Sequence, residues 1–352
     1  MAGPIRDVRA FVYRGGVRLA GTVLACDASA GADLVFLSHA PLGLARGRRA
    51  TGVTVHGRRR VLATEVTLAL LGQTGDRRRA RTDAALVAVP GRPFSLGGLR
   101  LEVFGSGWMP GSASLFCEHG GRRLLYAGRI GLGPDIAVRA ADAVCIDVRH
   151  VVPRVVFPPQ DEAIAAVGRR VRGVLAGGAA PIVLFDAIEA ALAVAASLAA
   201  DRIALRAHRA IVQAASAFLH AGVGASVPAR FAGRLGPGEV LLWPARERPP
   251  ARRGGERALG FVHVARDAGG EAGLTGGGVA FSTTADFAGV IRYLEAAGAS
   301  EVALVNASGD ELASALLARG VDAYTLGPPR QTDFVYPMRN PERVPRLSDA
   351  EP

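Results

Sequence analysis

Apolar residues in the first 150 positions fall into short runs separated by Gly, Asp and Arg. Runs of this length between turn-forming residues are typical of β-strands. The predicted strands are 11–13, 17–24, 34–37, 99–104, 114–118, 124–126 and 143–148. One segment, 64–71, has the spacing of a helix. The first part of the chain is therefore predicted to be rich in strands.

The pattern changes at residue 157, where two prolines and two acidic residues precede a longer periodic segment. A turn followed by a capped helix to about residue 175 is predicted there. The chain then alternates strand 181–185, helix 188–200, strand 203–205 and helix 210–220. Such alternation favours a parallel sheet covered by helices.

Residues 246–257 contain five Arg and two Pro among Gly, which predicts an exposed loop or linker. The predicted elements after it are strands 258–265, 279–282, 302–305 and 323–326 and helices 287–296 and 311–318. A tail rich in Pro, Arg and acidic residues follows and is predicted to be disordered. We divide the chain into a strand-rich first part, 1–155, an α/β insertion, 156–257, a return to the first domain, 258–336, and the tail, 337–352.

Composition is that of a soluble globular protein, with 352 residues of which 49% are hydrophobic. The longest apolar stretch, 187–200, contains Glu189 and falls short of the roughly 20 residues that span a bilayer. The first residues lack the apolar run of a secretory signal, so a cytoplasmic protein without membrane attachment is expected. Cys26, Cys117 and Cys145 are widely spaced and are predicted to be small core residues.

The positive charge comes from arginine alone, since the sequence contains no lysine. A net charge of +11 and a pI near 10.8 make a polyanion such as DNA or RNA a plausible partner. Arginine-rich stretches occur at 46–60, 77–81 and 246–257. Because aromatics are only 6% of residues and are little interleaved with these stretches, a solvated surface is the favoured interpretation of them and a nucleic-acid surface the alternative.

Four short segments carry the candidate chemistry. They are Phe-Leu-Ser-His-Ala-Pro-Leu-Gly-Leu at 36–44, Gly-Trp-Met-Pro-Gly-Ser-Ala at 107–113, Tyr-Ala-Gly-Arg at 126–129 and Phe-Ser-Thr-Thr-Ala-Asp-Phe at 281–287. In order and spacing, from about residue 8 to 335, they resemble the metallo-β-lactamase fold nucleases of the β-CASP group. The DNA-ligase-associated exonucleases and the mRNA 3′-end processing factors are of similar length. The resemblance implies an α/β (α+β) protein, a metallo-β-lactamase αββα sandwich into which a β-CASP-like α/β domain is inserted.

In that family a strand ends in His-x-His-x-Asp-His, which supplies several zinc ligands from one turn. Here the resemblance places His39 at the first histidine, Pro41 at the second, Gly43 at the aspartate and Leu44 at the last histidine. Proline, glycine and leucine side chains have no lone pair for a metal. Most of this ligand set is therefore missing.

Two further metal-binding positions are also changed. Trp108 stands where the family has a histidine, and an indole nitrogen is only a hydrogen-bond donor. Arg129 stands where the family has an aspartate that bridges the metals, so a cation replaces a carboxylate. No zinc or other cofactor is expected.

The β-CASP motifs are degenerate but keep two carboxylates. Asp147 matches the first acidic motif and Asp286 the last residue of Ser-Asp-His-Ala-Asp, in which Thr284 replaces the histidine. Asn306 replaces the histidine of the third motif. The retained Asp147 and Asp286 are hypothesised to pair with Arg129 and Arg149 across the former metal site.

Each remaining side chain has a structural interpretation beside the functional one. His39 is either a remnant ligand or a hydrogen-bonded turn residue, and the second is favoured. Trp108 either fills the former metal cavity or offers a base a stacking face, and filling is favoured. Ser112 lacks the sequence context of a catalytic nucleophile.

These observations predict a catalytically inactive relative of the exonucleases, linked to DNA repair or RNA processing. It would bind nucleic acid, with Arg46, Arg48, Arg49, Arg129 and Arg149 as candidate contacts, or act as a scaffold for an active nuclease, ligase or helicase. One alternative is an active nuclease or other hydrolase with a rearranged site around His39, Asp147 and Asp286. Another is a structural subunit of an assembly.

Overall fold

The protein is represented by a computed structural model that describes residues 9–28, 32–40, 60–73, 85–133, 136–149, 151–153, 155–224, 226–251, 257–265, 278–307 and 310–328. Within these residues the strands form three sheets, and the chain also contains six helices. The α/β class predicted from the sequence is confirmed.

The first sheet has six strands in sequential order. They are β1 (Phe11–Tyr13), β2 (Val17–Leu19), β3 (Leu24–Cys26), β4 (Leu34–Phe36), β5 (Arg60–Ala63) and β6 (Ala85–Val87). Strands β1 to β3 are antiparallel and β3 to β6 are parallel. The apolar residues of β3 to β5 are buried on both faces, as expected for parallel strands that are covered from both sides.

The second sheet has seven strands in the order β19-β18-β11-β10-β9-β8-β7. They are β7 (Phe94–Leu96), β8 (Leu99–Gly105), β9 (Ala113–His119), β10 (Arg122–Gly128), β11 (Ala143–Asp147), β18 (Glu301–Val305) and β19 (Asp322–Leu326). Strands β7 to β10 form an antiparallel meander, whereas β10, β11, β18 and β19 run parallel. The second sheet therefore joins the first part of the chain to its last part.

The first two sheets pack face to face around one apolar core. Phe11, Leu24 and Phe36 of the first sheet share a cluster with Leu101 and Leu115 of the second. Helix α1 (Glu65–Gln73) packs on the outer side of the first sheet. Helices α5 (Phe287–Ala297) and α6 (Glu311–Leu317) pack on the outer side of the second. The order of layers is helix, sheet, sheet, helices.

The third sheet is parallel and has the order β14-β13-β15-β12-β16-β17. Its strands are β12 (Ala180–Phe185), β13 (Leu205–Ala207), β14 (Ala229–Arg230), β15 (Val240–Pro244), β16 (Leu259–Ala265) and β17 (Val279–Ala280). Helices α2 (Gln160–Ala176), α3 (Ile188–Ala200) and α4 (Arg209–His220) cover one face. The predicted helix 188–200 has these bounds because its apolar residues repeat with helical periodicity.

The third sheet extends beyond the insertion that we drew from the sequence. Strand β16 pairs with β12 from Ala180↔Leu259 to Phe185↔Val264. The sequence division instead returned the chain to the first domain at residue 258. Strand pairing between distant segments is not visible in a local apolar pattern, and this boundary depended on the arginine-rich loop alone.

The cysteines and the strand bounds can also be compared with the predictions from the sequence. The three cysteines are buried and free, as expected for small core residues. The predicted strand 17–24 is two strands, β2 and β3, separated by a turn. Strands β5, β6, β7, β14 and β15 were not predicted. In the part of the chain that the structure describes, no helix has the length and apolar character needed to cross a membrane.

Candidate functional site

A cavity of about 710 Å³ lies where strands of the first two sheets end. Four strands that contribute to it, β3, β10, β11 and β18, place a polar side chain directly after or at their last residue. In α/β proteins the carboxyl ends of parallel strands are the usual ligand-binding edge. The residues that line the cavity include Tyr13, Asp27, His39, Tyr126, Arg129, Asp147, Arg149, Asn306 and Asp310.

Asp27 organises one wall of the cavity. Its carboxylate accepts hydrogen bonds from Ser38 N (2.9 Å), Ser38 Oγ (2.5 Å) and Tyr126 Oη (2.8 Å). Asp27 itself has a φ of 47°, a left-handed conformation that aspartate tolerates better than most residues. These bonds fix the segment after β4 against β10, so the chain direction at His39 is set by residues of both sheets.

Gly128 lies against Ser38, at a position that favours glycine. Gly128 ends β10 with a φ of 61°, and the pairing of β10 with β11 is irregular between Tyr126 and Gly128. A Cβ atom there would lie 3.1 Å from Ser38 Cβ. A side chain at this position would push Ser38 away from Asp27.

His39 is half-buried and is held through Ser38. Its Nδ1 lies 2.9 Å from Ser38 Oγ, and its ring contacts that of Trp108 edge to face with centroids 4.8 Å apart. Burial lowers the pKa of His39, an effect opposed by Asp27 and Asp147 and reinforced by the guanidinium groups of Arg129 and Arg149. The imidazole is therefore neutral at physiological pH.

Trp108 is buried at 8% exposure and links several parts of the protein. Its Nε1 donates to Thr283 Oγ1 at 3.1 Å, and its ring packs with Leu70 of α1 and Phe218 of α4. The loop that carries it is anchored by Thr64 and Thr67, whose hydroxyls donate to the Gly111 carbonyl at 2.7 and 2.8 Å. Trp108 thus fills space between the first sheet's helix and the helices of the third sheet.

Arg129 and Asp147 form a buried ion pair in the cavity wall. Arg129 Nη2 lies 3.2 Å from Asp147 Oδ2, and the two side chains are 12% and 13% exposed. The guanidinium carbon also lies 4.2 Å from the centroid of the Trp108 ring, a cation–π contact. The hypothesis that Arg129 faces Asp147 matches this geometry.

The ionised form of Asp147 is stabilised from several directions. Burial by itself would raise the pKa of Asp147, but Arg129, Arg149, the Arg149 N–H at 3.1 Å and the Asn306 side chain outweigh it and lower the pKa. Asn306 adopts a left-handed φ of 57°, which brings it beside this carboxylate from the end of β18. Asp147 is therefore a charged anchor for two neighbouring strand ends.

Arg149 differs from Arg129 in its contacts. Its backbone N–H is bonded to Asp147, but its guanidinium makes no ion pair or hydrogen bond with any residue of the described ranges. The side chain is half-buried and lines the cavity. Arg129 is thus fixed by close contacts, while Arg149 acts on Asp147 through its charge and lines the cavity without a side-chain hydrogen bond to the described residues.

Asp286 lies outside the cavity lining, contrary to the hypothesis that it faces the arginines. Its Oδ1 accepts a hydrogen bond of 2.8 Å from Gly289 N, which makes it the N-cap of α5. Thr284 is also turned inward, with its hydroxyl 3.1 Å from Ser282 Oγ and its backbone bridged to Gly131. An aspartate at a strand-to-helix turn can serve either as an N-cap or as a ligand, so sequence alone did not separate the two roles.

Other predicted residues lie outside the part of the chain that is described. These are Pro41, Gly43, Leu44, Arg46, Arg48 and Arg49, together with the arginine-rich segment 77–81 and the tail 337–352.

The side chains around the cavity fit a zinc centre poorly. The lining includes His39, Asp27, which already accepts three hydrogen bonds, and Asp147, which is paired with Arg129. It also includes the buried Cys26 and the exposed Asp310. Across the described residues, no group of three or more His, Cys, Asp or Glu side chains is placed to hold a metal ion. A guanidinium so close to a carboxylate competes directly with a divalent cation for it.

Sequence reasoning missed Asp27, Ser38 and Tyr126 as members of the site. One signal in the sequence could have identified Asp27 as a site residue, because it directly follows the fully buried strand β3. A carboxylate at such a position needs a partner. The partner, Tyr126, is distant in sequence and was not identifiable from the local pattern.

The fold and cavity define an α/β protein with two facing sheets, a third parallel sheet, and a polar cavity at the strand ends. No protein-family model matches the sequence, and no curated protein matches it. A crystal structure of a protein of unknown function from Enterococcus faecalis V583 is similar, with a TM-score of 0.54 at 10% identity, covering 84% of this chain and 79% of that chain. At this identity the similarity concerns the fold alone.

Proposed function

We propose that this chain is a relative of the β-CASP metallo-β-lactamase nucleases that no longer performs two-zinc hydrolysis and instead binds nucleic acid. The layered pair of sheets and the parallel third sheet are compatible with a metallo-β-lactamase αββα sandwich that carries a β-CASP-like domain. In this proposal, residues 1–155 and the last helices and strands form the sandwich. A role in DNA repair or RNA processing follows from the same resemblance.

The observation that carries the proposal is the Arg129–Asp147 pair. In the resembled family a metal-bridging carboxylate stands at position 129, whereas here a guanidinium occupies the cavity wall and neutralises Asp147. A cavity of about 710 Å³ persists beside the pair. Retention of a polar cavity together with loss of metal ligands favours binding over hydrolysis.

Charge supports nucleic acid as the ligand. The net charge is +11. Arg149 lines the cavity, and its guanidinium makes no hydrogen bond or ion pair with the described residues. Arginine binds phosphate through parallel N–H donors, and neutralised phosphates release counterions. An active nuclease, ligase or helicase as a protein partner is part of the same proposal, with this chain supplying the binding surface.

The rearranged-nuclease alternative has less support. It required His39, Asp147 and Asp286 to act together, but Asp286 caps α5 and Asp147 is held by Arg129. Nε2 of His39 makes no hydrogen bond with the described residues, but this imidazole has neither of the two carboxylates available to act with it.

Fluorescence anisotropy with labelled single-stranded DNA and RNA, at two salt concentrations, tests the proposal. We expect binding that weakens as salt rises, because about 0.7 counterions are released per phosphate neutralised on a single strand. Arg149→Gln should weaken binding, whereas Arg172→Gln, which alters an exposed pair with Asp201, should have little effect. Binding that is absent at low salt would contradict nucleic-acid recognition and leave a purely structural role.

A further inference from the structure

We infer that the cavity prefers ribonucleotides to deoxyribonucleotides, with His39 as the residue that recognises the 2′-hydroxyl and Arg149 as the residue that holds the adjacent phosphate. This inference rests on the proposed nucleic-acid binding and names the class of ligand for the same site. It depends on the hydrogen-bond chain from Asp27 through Ser38 to His39.

The hydrogen-bond chain assigns the protons. Asp27 is a carboxylate that can only accept, and Ser38 Oγ lies 2.5 Å from its Oδ2, so the serine hydroxyl donates to Asp27. The serine proton is then unavailable to His39 Nδ1, which lies 2.9 Å from the same oxygen. His39 Nδ1 must therefore carry its own proton and donate to Ser38 Oγ.

The other nitrogen of His39 consequently presents a lone pair. Nε2 makes no hydrogen bond with the residues that the model describes, and His39 lines the cavity. Burial lowers the pKa of His39, which keeps the ring neutral near pH 7. The cavity thus contains a hydrogen-bond acceptor whose tautomer is set by Asp27 through Ser38.

A cationic donor accompanies this acceptor. Arg149 lines the same cavity and is close enough to His39 to influence its pKa. Two carboxylates of the lining are already engaged, Asp147 by Arg129 and Asp27 by three hydrogen bonds. The third, Asp310, is exposed at the start of α6. One acceptor and one guanidinium without a hydrogen bond to the described residues match a hydroxyl next to a phosphate.

Ribose supplies such a hydroxyl. The 2′-hydroxyl is a hydrogen-bond donor that DNA lacks, and it is the group by which proteins distinguish RNA from DNA. The volume of about 710 Å³ lies in the range of about 300–1,000 Å³ that is usual for small-molecule sites. The ligand is therefore a nucleotide or the end of a single strand, and Tyr13 in the lining offers a base a stacking face.

Binding of fluorescein-labelled pentanucleotides of one sequence, as RNA, DNA and 2′-O-methyl RNA, tests the inference on the intact wild-type chain. We expect RNA to bind about tenfold more tightly than DNA, a ratio of the size that one good hydrogen bond gives. The 2′-O-methyl strand should behave like DNA, because methylation removes the donor. Competition by adenosine monophosphate and by inorganic phosphate distinguishes a free nucleotide from a strand end.

Two variants assign the roles. His39→Phe keeps an aromatic ring against Trp108 and should equalise the affinities for RNA and DNA, while Arg149→Gln should weaken both by a similar factor. Equal affinities of the wild type for RNA and DNA would overturn the ribose preference and leave the proposed nucleic-acid binding intact. Absence of binding to any strand would overturn both. The wild-type comparison with the 2′-O-methyl strand decides the question even if His39→Phe does not fold.

Discussion

Arg129 shows how one residue changes the chemistry of a site. Its guanidinium contacts the Asp147 carboxylate at 3.2 Å and the Trp108 ring at 4.2 Å. A buried carboxylate without a partner is costly, so the arginine has a stabilising role that does not require a ligand. Arg149, two residues beyond Asp147, lacks such contacts among the described residues and is the one available for binding.

Replacing Arg129 by Gln should destabilise the protein by roughly 2–4 kcal/mol, because Asp147 would remain buried without its cation. Urea-induced unfolding followed by circular dichroism measures the change. Arg172→Gln is the matched control, since the Arg172–Asp201 pair is about half exposed and should contribute at most about 1 kcal/mol. A loss no larger than that of the control would show that the buried pair does not stabilise the fold.

Asp147 should make stability depend on pH in a defined direction. Its pKa in the folded protein is lowered relative to the unfolded chain, where an aspartate titrates near 3.9. The carboxylate therefore stabilises the fold fully above about pH 5, and this contribution is lost as pH falls through the folded pKa. Comparing wild type with Asp147→Asn in urea at several pH values isolates the effect, and the difference between them should shrink steadily below pH 4. A difference that is constant from pH 7 to pH 3 would contradict the assignment.

At the scale of elements, the turn before α5 has a structural role. Asp286 accepts from Gly289 N at 2.8 Å, and α5 packs on the outer side of the second sheet through Val290, Ile291 and Leu294. The helix N-terminus has unpaired N–H groups that such a side chain satisfies. The aspartate that resembled a motif residue is explained by this cap.

Asp286→Ala should reduce the free energy of unfolding by about 1 kcal/mol, the usual cost of losing a cap. Asp286→Asn, which retains an acceptor oxygen, should lose much less. Nucleic-acid affinity should be unchanged in both variants, because Asp286 is not among the residues that line the cavity. If Asp286→Ala folded normally yet bound nucleic acid more weakly, the residue would belong to the binding site after all.

At the scale of the whole molecule, Trp108 connects the parts that build the site. It contacts Thr283, His39 and Arg129, and it packs with residues of α1 and α4. The two facing sheets and the third sheet therefore meet at the side chain that, in the resembled family, is a metal ligand. Trp108 thus fills the space beside the cavity and joins the surrounding elements through packing and one hydrogen bond.

Metal should have no effect on the stability of the molecule. Because Asp147 is paired with Arg129, Asp27 is hydrogen-bonded, and the described residues contain no group of three or more side chains placed to hold a metal, we expect equal melting temperatures with excess zinc, with a chelator and without either. Differential scanning fluorimetry measures this, and elemental analysis of the purified protein should find well under one zinc per chain. A zinc-dependent rise of several degrees would contradict the proposed loss of the metal site.

Local patterns in the sequence were sufficient for the α/β class, for most helices and for the buried cysteines, because helical periodicity and buried strands depend on nearby residues. The resemblance also grouped His39, Trp108, Arg129 and Asp147, which the structure places in or beside one cavity. Tertiary structure alone decided that β16 joins the third sheet and that Asp286 is the N-cap of α5. It also decided that His39 is oriented by Asp27, Ser38 and Tyr126. Those features depend on hydrogen bonds between residues from separate strands, and a linear pattern does not specify which strands become neighbours.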